Sequence, residues 1–180
     1  MAYPTSKLWA YPLFRVFVRK VNGIENIPEK PAFIIAANHK KLADPLYVLY
    51  PILKKLNKKV HFLSTGRWWF LGETICRKWA GSIPIFNREE AYSEAKEHIK
   101  SGEIVGFFPE GRLNAKAAYP KTGAVRLAIE TNVPILPICI KSSYIPFKSV
   151  ITIGKPIFFD DKKDIKKQSL KLIRRIYNLK

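Results

Sequence analysis

The sequence predicts a single α/β domain, with a largely parallel mixed sheet flanked by helices. Three observations predict it. Short, continuous apolar runs recur along the 180 residues; helix-patterned segments stand between them; and no linker, internal repeat or low-complexity tract divides the chain. Continuous apolar runs mark strands covered on both faces, and parallel pairing needs long crossovers that helices supply. The length favours one domain over 1–180. A domain near this size buries about 70% of its unfolded surface, enough for a core without staples.

The elements follow in order. Residues 5–19 read as a helix rich in bulky groups, Leu8, Trp9, Leu13, Phe14 and Phe17. AFIIAA at 32–37 is a buried strand. DPLYVLYPILKKL begins with Asp44 and Pro45, a helix start. KVHFLS at 59–64 is a second strand; 67–80 reads as helix broken near Gly72; SIPIF at 82–86 is strand again. REEAYSEAKEHIKSG is the clearest helix, acidic at its start and ended by Gly102. EIVGFFP at 103–109 is strand, and 122–132 is helix with Thr122 as cap. VPILPICI at 133–140 is strand, although its prolines suit strand ends better than a centre. SVITIG at 149–154 is the last strand, and a basic helix over 162–180 closes the chain.

Composition narrows the partners. The net charge is +18, from 32 basic and 14 acidic residues. Such a surface attracts polyanions: nucleic acid, an anionic membrane, or an acidic carrier. Hydrophobic content of 47% excludes disorder as the main state. Cys76 and Cys139 form no CxxC pair and no metal spacing, so buried reduced thiols and a reducing compartment are expected. No uncharged run reaches the ~18 residues of a membrane span, and no secretory signal is expected. Two segments suit a membrane surface. Residues 1–20 mix Trp9, Phe14 and Phe17 with Lys7, Arg15 and Arg19, as an interfacial helix or a core-packed one would. Residues 162–180 put Ile165, Leu172, Ile173 and Ile176 on one stripe and leave Lys163, Lys166, Lys167 and Arg174 for anionic headgroups or for solvent. Trp68, Trp69 and Phe70 form a further apolar cluster, core or acyl-chain wall.

One stretch carries chemistry. In AANHKKLADP, His39 stands five residues before Asp44. At about 100° per residue the two cannot meet on one helix. They meet if His39 lies on the turn leaving strand 32–37 while Asp44 caps the helix that follows. An ordinary cap and a turn-bonding histidine remain the alternative. Three further stretches accompany it: GSIPIFNR (81–88), FFPEGRLN (107–114) and VPILPI (133–138).

In this order and spacing the four stretches resemble the glycerolipid acyltransferase family typified by 1-acylglycerol-3-phosphate (lysophosphatidic acid) acyltransferases. The resemblance runs from about Val21 to Gly154. Asn38, His39 and Asp44 match the NHxxxxD block; Gly81–Arg88 the strand ending in Arg; Phe108–Arg112 the Phe-Pro-Glu-Gly block; and Val133–Pro137 the fourth. The third block departs: its Thr is absent and Arg112 follows Gly111 directly. That leaves the phosphate geometry, and with it the acceptor, open.

The resemblance implies transfer of a fatty acyl group from a thioester, acyl-CoA or acyl carrier protein, to the hydroxyl of lysophosphatidic acid. No metal and no cofactor beyond the donor are expected. Histidine suits a base that must deprotonate a hydroxyl near neutral pH, and Asp44 would fix its tautomer. Arg88 and Arg112, leaving the ends of neighbouring strands, would converge on the acceptor phosphate. Lys121 is a further cation by resemblance. Glu110 would bond an acceptor hydroxyl or hold Arg112, and Gly111 would permit close backbone approach. His61 and His98 read as structural or solvated. The expected setting is cytoplasmic, peripheral on the inner face of the cell membrane. Another lysophospholipid or hydroxylated lipid is the rival acceptor. A noncatalytic lipid binder of the same fold is a further rival. A nucleic-acid-binding module fits the charge, yet no zinc spacing or RNP-like strand accompanies it, so nucleic acid is not an expected partner.

Overall fold

A computed structural model describes residues 6–30, 32–65, 72–113, 120–159 and 164–179. The Trp68–Trp69–Phe70 cluster, Asn114, Lys162 and Lys163 lie outside the described residues, as do the side chains of Lys7 and Trp9. The strands are β1 (Val18–Asn22), β2 (Phe33–Ala37), β3 (Val60–Ser64), β4 (Ile83–Pro84), β5 (Ile104–Phe107), β6 (Ile135–Lys141) and β7 (Ser149–Ile153). The helices are α1 (Ser6–Phe17), α2 (Asp44–Lys55), α3 (Arg88–Lys100), α4 (Gly123–Thr131) and α5 (Ile165–Asn178), with a π-helical turn over Thr74–Trp79.

The strands form one seven-stranded sheet in the order β1-β7-β6-β2-β5-β3-β4. From β6 to β4 the pairing is parallel; β7 is antiparallel to β6, and β1 is parallel to β7. Five strands therefore share a direction and end on one edge. β2 lies at the centre of the seven-stranded sheet, between β6 and β5, and all five of its residues are buried. Its side chains alternate: Phe33, Ile35 and Ala37 join the core under α1 and α2, while Ile34 and Ala36 join the core under α3, α4 and α5.

Several expectations need correction. β1 lies where the first helix was expected to continue, because the chain turns at Phe17 and Val18 enters the ladder with Ser149. Phe14 is buried and Phe17 packs against the same core, so α1 offers Leu13 and Val16 to solvent rather than those aromatics. Pro137 sits inside β6, not at its end. It is tolerated there because the ladder to β7 begins at Ile138, and the Pro137 carbonyl accepts from the Gly154 N–H just beyond that strand. Thr122 occupies the cap position of α4 without a side-chain capping bond. Asn87 does cap α3, accepting from the Glu89 N–H at 2.9 Å. The stripe expected on α5 is present: Leu172, Ile173 and Ile176 are buried, while Lys166, Lys167 and Arg174 are exposed.

Candidate active site

The carboxyl ends of β6, β2 and β5 adjoin, and the loops that leave them build the site. Asn38 follows β2 and is buried. Its Nδ2 donates to the Ile140 carbonyl at 2.9 Å, and its Oδ1 accepts from the Ile140 N–H at 2.6 Å. An amide side chain so paired extends the β2–β6 ladder beyond its last backbone bond. It thereby fixes the direction in which His39 projects.

The turn after His39 folds back until Asp44 reaches it. His39 Nδ1 lies 3.2 Å from Asp44 Oδ2. The same oxygen accepts from the Lys40 N–H at 2.5 Å and the Lys41 N–H at 2.7 Å. Asp44 is not the cap of α2, as expected, but its first residue, with Ala43 at the cap position. Its fully buried carboxylate serves the turn before the helix, and the helix N-terminus favours its charge. Burial alone would raise the Asp44 carboxyl. The hydrogen bonds from His39, Lys41 and Lys40, with the Ser142 hydroxyl nearby, outweigh it and hold the group below its ordinary range. An ionised Asp44 accepts a hydrogen bond from Nδ1–H, which leaves the Nε2 lone pair facing outward. No described residue bonds that nitrogen, and the His39 side chain retains 17% exposure.

Aromatic rings support the imidazole. Phe108 stacks on His39 with centroids 4.2 Å apart and planes 19° apart, and Phe62 stacks on Phe108 at 5.5 Å. The column needs Gly106 beneath it: a Cβ there would stand 2.3 Å from Phe62 Cε1.

Glu110 is buried, and among the described residues it does not hold Arg112, one of the two roles expected of it. Its Oε1 accepts from the Tyr177 hydroxyl at the end of α5 and from the His39 N–H at 3.4 Å. Burial, then the Glu110 contact, pushes the Tyr177 phenol up. Gly111 has φ +72°, and the Lys121 side chain lies across it, with Cγ 3.0 Å from where a Cβ would be. The Lys121 N–H donates to the Pro109 carbonyl at 2.7 Å, so this lysine is tied to the Glu110 turn by its own backbone.

Arg112 is exposed just after the Glu110–Gly111 turn, and Arg88 is exposed as the first residue of α3. Their strands are not neighbours, contrary to expectation. β3 lies between β4 and β5, so the strand ends are roughly 10 Å apart. Neither arginine is ion-paired among the described residues. Both stand at the carboxyl edge that carries His39.

Sequence reasoning missed the Asn38 bracket, the Phe108 stack, the Ser142 hydroxyl and Tyr177. Asn38 beside His39, and Phe108 within the third stretch, were the available signals. Tyr177 carried none, because it meets Glu110 from 67 residues away.

The fold and the His39–Asp44 pair define the class: a layered α/β domain with a histidine bonded to a buried carboxylate at the carboxyl edge of the sheet. The family described as Acyltransferase matches residues 18–141, and the chain belongs to that family. The match spans every candidate residue from His39 to Lys121. The chain is 30% identical over 128 residues to a 1-acyl-sn-glycerol-3-phosphate acyltransferase of Bacillus subtilis (strain 168), covering 66% of this chain and 60% of that protein. It is 29% identical over 133 residues to a protein of the same name from Borreliella burgdorferi, covering 66% of this chain and 49% of the relative. The chain thus spans about half to three fifths of the length of these relatives. The crystal structure of the 1-acyl-sn-glycerophosphate (LPA) acyltransferase PlsC from Thermotoga maritima shares the fold. Its TM-score is 0.71 at 24% identity, over 98% of this chain and 79% of that one.

Proposed function

We propose that this chain moves a fatty acyl group from a thioester to the free hydroxyl of lysophosphatidic acid, giving phosphatidic acid. The observation that carries this reading is the 3.2 Å contact of His39 Nδ1 with a buried, ionised Asp44, which leaves Nε2 open toward the site. Nε2 takes the acceptor's hydroxyl proton as its oxygen attacks the thioester carbonyl. The tetrahedral adduct collapses, the C–S bond breaks, and the departing thiolate takes the proton back from the imidazolium. Asp44 stabilises that cation while its pair of backbone donors, Lys40 and Lys41, keeps the carboxylate in place. Such a base contributes about 10²–10⁴-fold. The names of the curated relatives support the acceptor and the phospholipid product.

Arg112, Lys121 and Arg88 supply positive charge for the acceptor phosphate, and Gly111 leaves room beside the Lys121 stem. Glu110 acts through the His39 backbone rather than as a direct ligand. A second acceptor, another lysophospholipid, is favoured by one observation only: Arg112 follows Gly111 with no residue between.

The chain meets its lipid as a peripheral protein on an anionic membrane surface, the inner face of the cell membrane. No helix among the described residues is long and apolar enough to cross a membrane. Leu42, Leu46, Tyr144, Ile145 and Phe147 are exposed around the His39 turn. Lys41 Nζ lies 4.4 Å from the Tyr144 ring, and Lys141 and Lys148 flank the same loop. Apolar side chains ringed by lysines suit an interface with anionic headgroups.

The test is thiol release from acyl-CoA and from acyl carrier protein donors, run over a panel of lyso-lipids. Lysophosphatidic acid is expected to be acylated. No release with either donor, or rates indifferent to removal of the acceptor's phosphate, would end the proposal. Co-sedimentation with vesicles of anionic and of neutral lipid tests the membrane surface; equal binding to both speaks against it.

A further inference from the structure

At the amino end of the sheet, away from His39, a second group of side chains converges. His61 is the second residue of β3, His98 lies in the last turn of α3, and Glu103 stands just before β5. His61 Nε2 is 3.4 Å from Glu103 Oε2, and His98 Nδ1 is 2.5 Å from the same oxygen. The His61 side chain is 9% exposed, and its Nε2 is buried without a hydrogen-bond partner. His61 Nε2 thus faces a carboxylate oxygen with no hydrogen bond between them, and a cation placed between the two would satisfy both.

We infer that His61, His98 and Glu103 form a binding site for a divalent cation of the zinc type. Two imidazoles and one carboxylate are a known donor set for zinc, with water completing four-coordination. Glu103 at 45% and His98 at 26% exposure leave that water a way in. The three donor atoms lie within 4.8 Å of one another, against about 3.3 Å in a tetrahedron with ~2.0–2.1 Å bonds. The rings are stacked at 3.8 Å with planes 17° apart, so ion binding must splay them. Rotations about the side-chain bonds suffice, since the backbones already meet.

The surroundings fit as well. Ligating histidines usually engage a carbonyl or carboxylate through the second nitrogen. Glu94 Oε1 lies 3.8 Å from His98 Nε2 and is itself held by Arg77. The ion would staple β3, α3 and β5 together, far from the acyl-transfer edge. The inference therefore does not rest on the proposed activity.

The test uses the tag-free, metal-stripped chain titrated with ZnCl₂ and, separately, MgCl₂, followed by calorimetry and thermal unfolding. One Zn²⁺ per chain is expected, with Tm rising by roughly 5–10 °C at 100-fold excess over Kd. Mg²⁺, which prefers oxygen ligands, is expected to leave Tm unchanged. Co²⁺ is expected to give the visible absorption of a four-coordinate ion. His98→Gln and Glu103→Gln, both at partly exposed positions, are expected to keep the apo Tm within a few degrees and to weaken Zn²⁺ by at least about 10-fold. No Tm shift with Zn²⁺, an equal shift with Mg²⁺, or undiminished affinity in both variants would overturn the site.

Discussion

Asp44→Asn is the substitution that tests the site most directly. It keeps the side-chain volume and still offers an oxygen to the Lys40 and Lys41 N–H groups, so the turn has a way to persist. It removes the charge beside His39. With Nδ1 and Oδ2 3.2 Å apart, the charge centres of imidazolium and carboxylate lie about 4 Å apart. At an effective dielectric near 20 that attraction is about 4 kcal/mol. The imidazolium forms as the hydroxyl loses its proton and lasts until the thiolate takes that proton back, so the loss falls on kcat, by about 10³-fold. The neutral amide also ceases to dictate which ring nitrogen carries the proton, in the same direction. Thiol release from acyl-CoA under saturating lysophosphatidic acid reads kcat, and circular dichroism melts check the fold. A fall of less than about 10-fold in a variant with the parent's melting curve would refute the base–carboxylate assignment.

Four other outcomes follow. Asp44 has a depressed folded-state pKa, so the stability it confers is fully present above its unfolded value of about 3.9 and is lost as pH falls through the folded value. Acid titration of unfolding is expected to show a shallower loss below about pH 4 in Asp44→Asn; identical acid limbs would contradict this. Arg112→Ala is expected to raise the KM for lysophosphatidic acid about 10-fold or more with kcat nearly kept, and an unchanged KM would remove Arg112 from the phosphate site. Tyr177→Phe removes the hydroxyl that donates to Glu110. It should cost about 1.5–3 kcal/mol in urea unfolding; a variant as stable as the parent would show that Glu110 finds another donor. Gly106→Ala drives a methyl into Phe62 and hence against the Phe108–His39 stack. Overpacking should cost about 1–3 kcal/mol, measured as a lower midpoint in the same unfolding series.

Local pattern determined most of the architecture. Apart from Glu103 at one end, the runs 32–37, 103–109 and 133–140 carry no charged side chain, so they had to be interior strands, and β2, β5 and β6 are paired side by side at the centre. Asp-Pro fixed where α2 begins, and the chain distance from His39 to Asp44 fixed that any contact needed a turn between them. The four stretches identified the site's edge because parallel strands all deliver their carboxyl ends to the same side.

What the sequence left undecided depends on meetings between distant segments. Strand order is one: nothing local says that β3 separates β4 from β5, and so the Arg88–Arg112 spacing was misjudged. Glu110 is another. Its charge suggested a ligand-facing carboxylate, but α5 covers it with Tyr177, and a buried carboxylate takes whichever donors packing brings. The His61–His98–Glu103 cluster is a third, since β3 and the α3–β5 junction come together only when the sheet assembles. Periodicity reports which face of an element is buried. It carries no record of which other element does the burying, and that pairing is decided by the packing free energy of the whole chain.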